Sequence, residues 1–371
     1  MAIIPPSWAV TEFNNPTTLH TRRCDIFESD RETPWLLDAP MVDGQVSVDY
    51  SRDDKRNFDV TLHNDDGILD HDPNGFWYDK ILKVFSGVVR RTDNLAWETQ
   101  VGEFLIERIS EPHFPDIVKV TARDFKKKME ATKFTVATGF TSGSTVKSVI
   151  ASISGVAGIG SEYRNLDDDG STLGRDFVFE RGVTRWDACL EIATSYNLEL
   201  FFDAQGILVL QPFTDPATSP IEFVFQTGPV GNIVNFEKTV NDSRIYNHIF
   251  VEGGSTETVI VYGEAINNLA GSPTAVDNIG DRLYQYVSSF INTTQQAQDV
   301  ADSFLKVHAL EEFEANLGSL RIPWLEAGDI VQFVDPSPYP NQPDRFLLSS
   351  FNIPMKLGAM SSTVKRVTQV D

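Results

Sequence analysis

Between residues 18 and 130 hydrophobic side chains recur at every second position, and nothing else in this sequence constrains the fold as strongly. Val46, Val48 and Tyr50 alternate with polar neighbours, as do Phe58, Val60 and Leu62. Successive side chains of a strand point to opposite faces, so this period means half-buried antiparallel sheet. The runs Arg22–Phe27, Gly44–Tyr50, Arg56–His63, Ile81–Val89, Gly102–Ile109 and Ile117–Ala122 read as strands, with a tight turn at Asn64-Asp65-Asp66-Gly67. Asp124–Met129 reads as a short helix. The natural closure for such a set is a barrel or sandwich of six or seven strands.

The pattern changes further on. Thr141-Ser142-Gly143-Ser144 leads into a helix over Thr145–Ile153, with Val146, Val149, Ile150 and Ile153 on one face. From Phe177 to Phe213 the order is strand, helix, hairpin. Thr184 can accept from the first free N–H groups of the helix, and Asp187 places negative charge in its first turn. Trp186, Cys189, Leu190 and Ala193 form the apolar stripe; Leu198, Leu200 and Phe202 then alternate with Glu199 and Phe201. Asp203-Ala204-Gln205-Gly206 supplies a turn in which Gly206 is free to take positive φ. Pro212, Pro216 and Pro220 mark the exit.

Strands are expected again at Ile233–Lys238, Tyr246–Glu252 and Thr256–Tyr262. Thr293 with Gln296 fits a capping box opening a helix whose face carries Ala297, Val300, Ala301, Phe304, Leu305 and His308. Asn316–Ile322, Ile330–Val334, Phe346–Pro354 and Ser362–Val370 follow as strands. A chain of 371 residues exceeds one ordinary domain. The expected architecture is α+β and β-dominated. Antiparallel β-barrel or sandwich domains at 1–130 and 231–371 (the second with one long helix) flank a smaller α+β insert, helix plus hairpin, at 131–230.

The order of motifs resembles the tail hub proteins (tail-associated, baseplate-hub-like minor tail proteins) of the kind found in actinobacterial phages. The matching stretches are Asp59–Gly67, Leu82–Gly87, Gly102-Glu103-Phe104-Leu105-Ile106 and Val118–Asp124. They continue with the helix and hairpin ending in Leu198–Leu210, then Tyr246–Gly253, Ile279-Gly280-Asp281-Arg282 and Pro323–Val331. The resemblance covers nearly the whole chain. It implies two tube-protein-like β domains per subunit, so that three subunits imitate a six-fold tail tube. It implies a structural virion protein and not an enzyme, a homotrimer closing the tail-tube tip. The implied partners are the distal tail or tube protein, the tape measure protein, and tail-tip or receptor-binding proteins. DNA would pass through the lumen without specific binding when the tip opens. The implied place is the phage tail tip, after synthesis in the host cytoplasm.

Charge agrees with that reading. The formal net charge is −22, and binding dominated by phosphates needs Lys and Arg to displace counterions. An acidic lumen would keep passing DNA from sticking. The one basic run, Lys126-Lys127-Lys128, reads as a solvated helix end. The N-terminal MAIIPPSWAV has no basic region followed by a long apolar run, and no stretch reaches the ~18 apolar residues of a membrane span, so no stable membrane insertion is expected.

Candidate chemistry is sparse. Cys24 and Cys189 give neither a disulfide framework nor metal spacing, and Cys189 reads as a buried thiol. Asp65, Asp66, Asp70 and Asp72 depart from the calcium-loop pattern and read as an acidic turn, as does Asp167–Gly170. His20, His63, His71, His113, His248 and His308 are scattered, and His308 reads as a charged group suiting a helix C-terminus. Gly155–Gly160 lacks dinucleotide spacing and reads as a flexible loop. No catalytic, cofactor-binding or metal residues are assigned, and no cofactor. Trp77-Tyr78 and Tyr339 read as core filling or intersubunit contacts. Two other readings remain: a tail-tip carbohydrate- or receptor-binding protein, and a cell-wall hydrolase using an unrecognised carboxylate pair.

Overall fold

The strand Met41–Asp49 is where the two ends of the chain meet. On one side it pairs antiparallel with Arg56–His63, as the alternation predicts. On the other it pairs antiparallel with Arg345–Pro354, roughly 300 residues away, with Phe351 opposite Val48 and Ile353 opposite Val46. The computed structural model of the chain describes residues 5–14, 19–50, 55–112, 116–227, 231–240, 245–254, 260–334 and 345–367.

Thirteen strands form the main sheet. From the joint one arm runs through Arg56–His63, Ile117–Arg123, Leu95–Ser110 and Ile81–Arg90 to Leu19–Phe27 and the short Pro34–Leu36. The other runs through Arg345–Pro354 and Met360–Arg366 to Glu311–Ser319 and Ile233–Val240. A branch adds Ile330–Val334 against Arg345–Pro354, and Ile221–Gln226 parallel to Ile330–Val334. Both arms feed one core, in which Cys24, Val46, Phe58, Phe104, Phe351 and Val364 are all buried.

Two smaller units stand apart from it. The first has its own core, which includes Phe125, Met129, Ile150, Trp186, Cys189, Leu200 and Phe202. Its helices Val146–Val156 and Arg185–Ser195 begin as their caps dictate. Thr145 Oγ1 accepts from Ser148 N at 3.3 Å, and Thr184 Oγ1 from Asp187 N at 3.0 Å. Leu198–Phe202 and Leu208–Pro212 form the hairpin, with Gly206 at φ 67° in the turn. Asp203 Oδ1 ties that turn by accepting from Gln205 N and Ile207 N, each at 2.9 Å. The second unit is a sheet of three strands, Tyr262–Ile266, His248–Glu252 and Leu283–Val287, backed by the helix Thr294–His308. Thr293 caps that helix from Gln296 N at 3.1 Å, and the Gln296 side chain accepts in return from Asn292 N at 2.9 Å.

The chain is thus α+β and β-dominated, as the periodicities imply. Local differences have local reasons. The strand expected at Thr256–Tyr262 begins instead at Tyr262, and residues 255–259 lie outside the described residues. Ser7–Phe13 is a helix the alternation did not announce; it buries Ala9 and Phe13, four residues apart, against Val88, Trp97 and Trp324. Lys126–Ala131 is the short helix, but its lysines are not a solvated end. Lys126 is buried and pairs with Glu130 at 3.0 Å, Lys127 donates to Ile106 O, and Lys128 donates to Gly158 O at 3.0 Å.

Candidate functional site: the seam between sheet and insert

The insert's hairpin is pressed against the main sheet, and several polar residues whose charge burial opposes, Tyr50, Lys55, Asp203 and Asp329 among them, gather there. On one face Arg31 does most of the joining. It sits at φ 68°, a left-handed conformation that costs a non-glycine residue energy. Asp30 stabilises this turn by accepting from Glu32 N and Thr33 N at 2.9 and 2.8 Å. The conformation sends the guanidinium into the seam, where Nε binds Glu103 Oε1 at 2.7 Å. Nη2 donates to Gln205 O and Gly206 O at 3.0 and 2.9 Å, so one side chain holds the hairpin turn to the sheet. Phe125 and Tyr163 sandwich it, with ring centroids 4.1 and 3.5 Å from its central carbon.

The other face is a cleft of about 440 Å³ lined by residues including Tyr50, Lys55, Glu199, Asp203, Glu326 and Asp329. Tyr50 Oη donates to Glu199 Oε1 at 2.7 Å and Gln211 to Oε2 at 2.9 Å, fixing that carboxylate from both sides. The Lys55 ammonium lies 3.6 Å from the Phe201 ring centroid, and burial lowers its affinity for a proton. Buried Arg56 pairs with Glu326 and donates to Val101 O at 2.9 Å. Gly328, at φ 107°, makes the turn that sets the half-buried Asp329 in the wall of this cleft. Burial pushes the Asp329 carboxyl up to about 7, although Glu326 N donates to it at 2.7 Å. A second cavity of about 370 Å³ shares Tyr50, Lys55, Glu199 and Phe201 and is otherwise mostly apolar, with Leu190, Phe213 and Phe304 in its wall. The chemistry on offer is a half-buried acid held above the usual carboxylate range, beside a buried amine.

The residues singled out in the sequence lie elsewhere. In the Asp65–Asp72 turn the carboxylates accept from nearby donors: Asp66 from Ile68 N, Asp70 from the Asn64 amide, Asp72 from Asn74 N. Asp168 is fully buried and accepts from Lys147 N at 2.9 Å and Gly170 N at 3.1 Å, so it helps start a helix. Both cysteines are buried, and burial pushes both thiols up. Trp77 stacks on His71 at 4.9 Å with Tyr78 edge-on beside it, while Phe76 below is buried. His113 and Tyr339 lie outside the described residues.

His308 is not the charged helix end that its position implies. Burial, helped by Lys365, lowers it to about 4, and the neutral ring stacks on Tyr284 at 4.7 Å. His248 is the histidine that does gain partners. Burial opposes its charge, yet hydrogen bonds to Glu264 at 2.8 Å and Asp281 at 2.9 Å raise it overall. Among the described residues no cluster of three or more His, Cys, Asp or Glu is placed to hold a metal, and no helix is long and apolar enough to cross a membrane.

No protein-family model and no curated protein matches the sequence. Solved structures do match the fold, some of them over nearly the whole length of both chains. A tail protein from Neisseria meningitidis MC58 superposes with a TM-score of 0.65 at 14% identity, covering 93% of this chain and 96% of that one. The 43 kDa tail protein of prophage MuSo2 from Shewanella oneidensis gives 0.62 at 10% identity, covering 92% and 98%. A chain of the Francisella PdpA–VgrG complex gives 0.54 at 10% identity, with 96% of this chain laid on 53% of that one. The chain therefore has the fold of phage and prophage tail proteins, which is the fold the hub resemblance implies.

Proposed function

We propose that this chain is a structural, non-enzymatic component of a phage-type tail: the homotrimeric hub that closes the tip of the tail tube. The observation that carries this reading is end-to-end correspondence. Two tail proteins superpose over 92–93% of this chain and 96–98% of their own, leaving little of either unmatched. In this reading the two arms of the main sheet, residues 19–123 and 221–366 without the unit at 245–309, are the two tube-like β domains. The distal tail or tube protein and the tape measure lie above the ring, and tail-tip or receptor-binding proteins below. DNA passes through the opened lumen without specific contacts, because a surface with a surplus of carboxylates repels phosphate.

Native mass spectrometry with negative-stain imaging of the same sample tests this. The expected result is a species near three times 41.4 kDa with ring-shaped views. A monomer that stays monomeric with its tube and tape-measure partners present overturns the trimeric hub. One observation favours a second reading, a tail-tip receptor binder: the stacked His71–Trp77–Tyr78 surface, where Tyr78 is 42% exposed. That reading predicts saturable attachment of the isolated protein to cells, lost in Trp77→Ala.

A further inference from the structure

We propose that His248 is a pH-sensitive staple across one end of the three-strand sheet in the unit at 245–309, tying both outer strands to the central one only while the ring is charged. Three segments meet on the outer face of that sheet to build it. His248 opens the central strand, opposite Ile266 of one neighbour and Leu283 of the other. Glu264 lies two residues before Ile266 and Asp281 two residues before Leu283, which puts the carboxylates at diagonal positions on either side of the ring. Nε2 is 2.8 Å from Glu264 Oε1 and Nδ1 is 2.9 Å from Asp281 Oδ1.

Both contacts at once require the imidazolium. An ionised carboxylate only accepts, and a neutral imidazole carries a single N–H. A neutral His248 can therefore donate to one partner and turns a lone pair on the other. The charged groups acting on the ring are Glu264 and Asp281, one from each flanking segment, and no cation acts on it among the described residues. The helix Thr294–His308 reaches this end of the sheet through an uncharged side chain: Gln298 accepts from Glu264 N at 3.3 Å and donates to Glu264 O at 2.9 Å. Burial opposes the charge on His248, and the two carboxylates more than offset it, so the folded chain binds this proton more tightly than the unfolded chain. The staple's contribution is full below 6.5, the ordinary histidine value, and is lost as pH rises through the higher folded value.

The two outer strands are not held alike. Glu264 is tied to the helix by Gln298 as well, whereas Leu283–Val287 pairs with the central strand alone. Its first residues hang on Arg282 O, which accepts from Asn247 N and His248 N, both at 3.2 Å. The Asp281 side is the one that gives way. The Asn247 side chain still bonds Gly280 O and Arg282 N at 2.9 Å each, so the segment loosens rather than detaches. Leu283–Val287 is an edge of its sheet, and the staple sets how well that edge is ordered as pH changes. None of this depends on the chain being a hub.

The test is nitrogen NMR of the histidine rings in the full chain across pH, with hydrogen exchange at the Asn247 and His248 amides as the second readout. Both ring nitrogens of His248 are expected to carry protons at pH 6, with a titration midpoint above 6.5. Glu264→Gln and Asp281→Asn each move that midpoint down by ~0.5 or more. Protection of the Asn247 and His248 amides, corrected for intrinsic exchange, falls about threefold as pH crosses the midpoint. Ser288 N, which donates to Glu252 O at 3.0 Å beyond the other end of the same strand, keeps its protection. In His248→Gln, whose side chain has no charge to lose, the dependence disappears. A midpoint at or below 6.5, equal loss at Ser288, or the same pH profile in His248→Gln overturns the proposal. If His248→Gln fails to fold, the ring titration and the Ser288 comparison in the parent decide.

Discussion

In the insert most residues that share a core are near neighbours in sequence, with Ile81 and Phe290 joining from outside; in the main sheet they come from both ends of the chain. Phe125, Trp186, Cys189, Leu200 and Phe202 fall within 80 residues of one another. Val46 and Phe58 meet Phe351 and Val364 only after the chain has made both smaller units. Capped helices and a tied turn can organise the insert early, because loop closure is cheap over short spans. The sheet must wait for its far strands, and the Met41–Asp49 joint is where the waiting ends. Arg31, Tyr50 and Lys55 then couple the two, since each belongs to the sheet and touches the hairpin.

Four substitutions probe this contrast. The largest effect is expected for Phe351→Ala, which opens a cavity opposite Val48 at the joint and costs about 3–5 kcal/mol. Its urea transition should move to lower concentration while the insert's far-ultraviolet helix signal persists longer than in the parent. Arg31→Met comes next, because it strips buried Glu103 of its closest cation and leaves it Gln100 at 3.3 Å and Lys83 at 3.9 Å, a local cost of about 3 kcal/mol. It should split unfolding into two transitions; a single transition of unchanged steepness would mean that the insert is held by its apolar contacts alone.

A third effect depends on pH. The Asp329 carboxyl titrates near 7 when folded and near 3.8 when unfolded, so the folded state binds the proton more tightly. Its contribution is full below about 3.8 and is lost as pH rises toward 7. Asp329→Asn should therefore gain stability over the parent at pH 8, on the order of 2–4 kcal/mol, and match it near pH 4. His308 has the opposite sign. Lowered from 6.5 to about 4 by burial, it favours folding above 6.5, and that contribution is lost as pH falls toward 4. A pH–stability curve for Asp329→Asn that parallels the parent throughout would mean that Asp329 is not buried as described. The smallest effect is at Thr184→Ala, about 1 kcal/mol for a lost helix cap, confined to the insert and visible in hydrogen exchange of the first turn of Arg185–Ser195.

Much of this was legible in the residues. Arg56–His63 and Ile330–Val334 run where alternation puts them, and Thr145, Thr184 and Thr293 start the helices they were assigned to. The seam was not legible. Nothing around Lys55 or Asp329 announces these surroundings, because Phe201 reaches Lys55 from the distant hairpin, and Glu222 and Lys55 reach Asp329 from far along the chain. Arg31 gives no signal at all, since an arginine at positive φ next to an Asp reads as a surface turn. Lys126–Lys128 misled for the same reason: a run of charge says nothing about what later packs upon it.

Local states were written into the residues: which stretches extend, which coil, where helices begin, and which face of each is apolar. Period, caps and turn residues act within a few positions of one another, so no distant partner is needed to read them. The assembled fold was needed to show that the two ends of the chain share one sheet and one core, and that Asp329, Lys55 and His308 lie in surroundings that oppose their charge. Alternation names the face a side chain occupies but never its neighbour across the ladder, and burial of a charge depends on atoms brought from elsewhere in the chain.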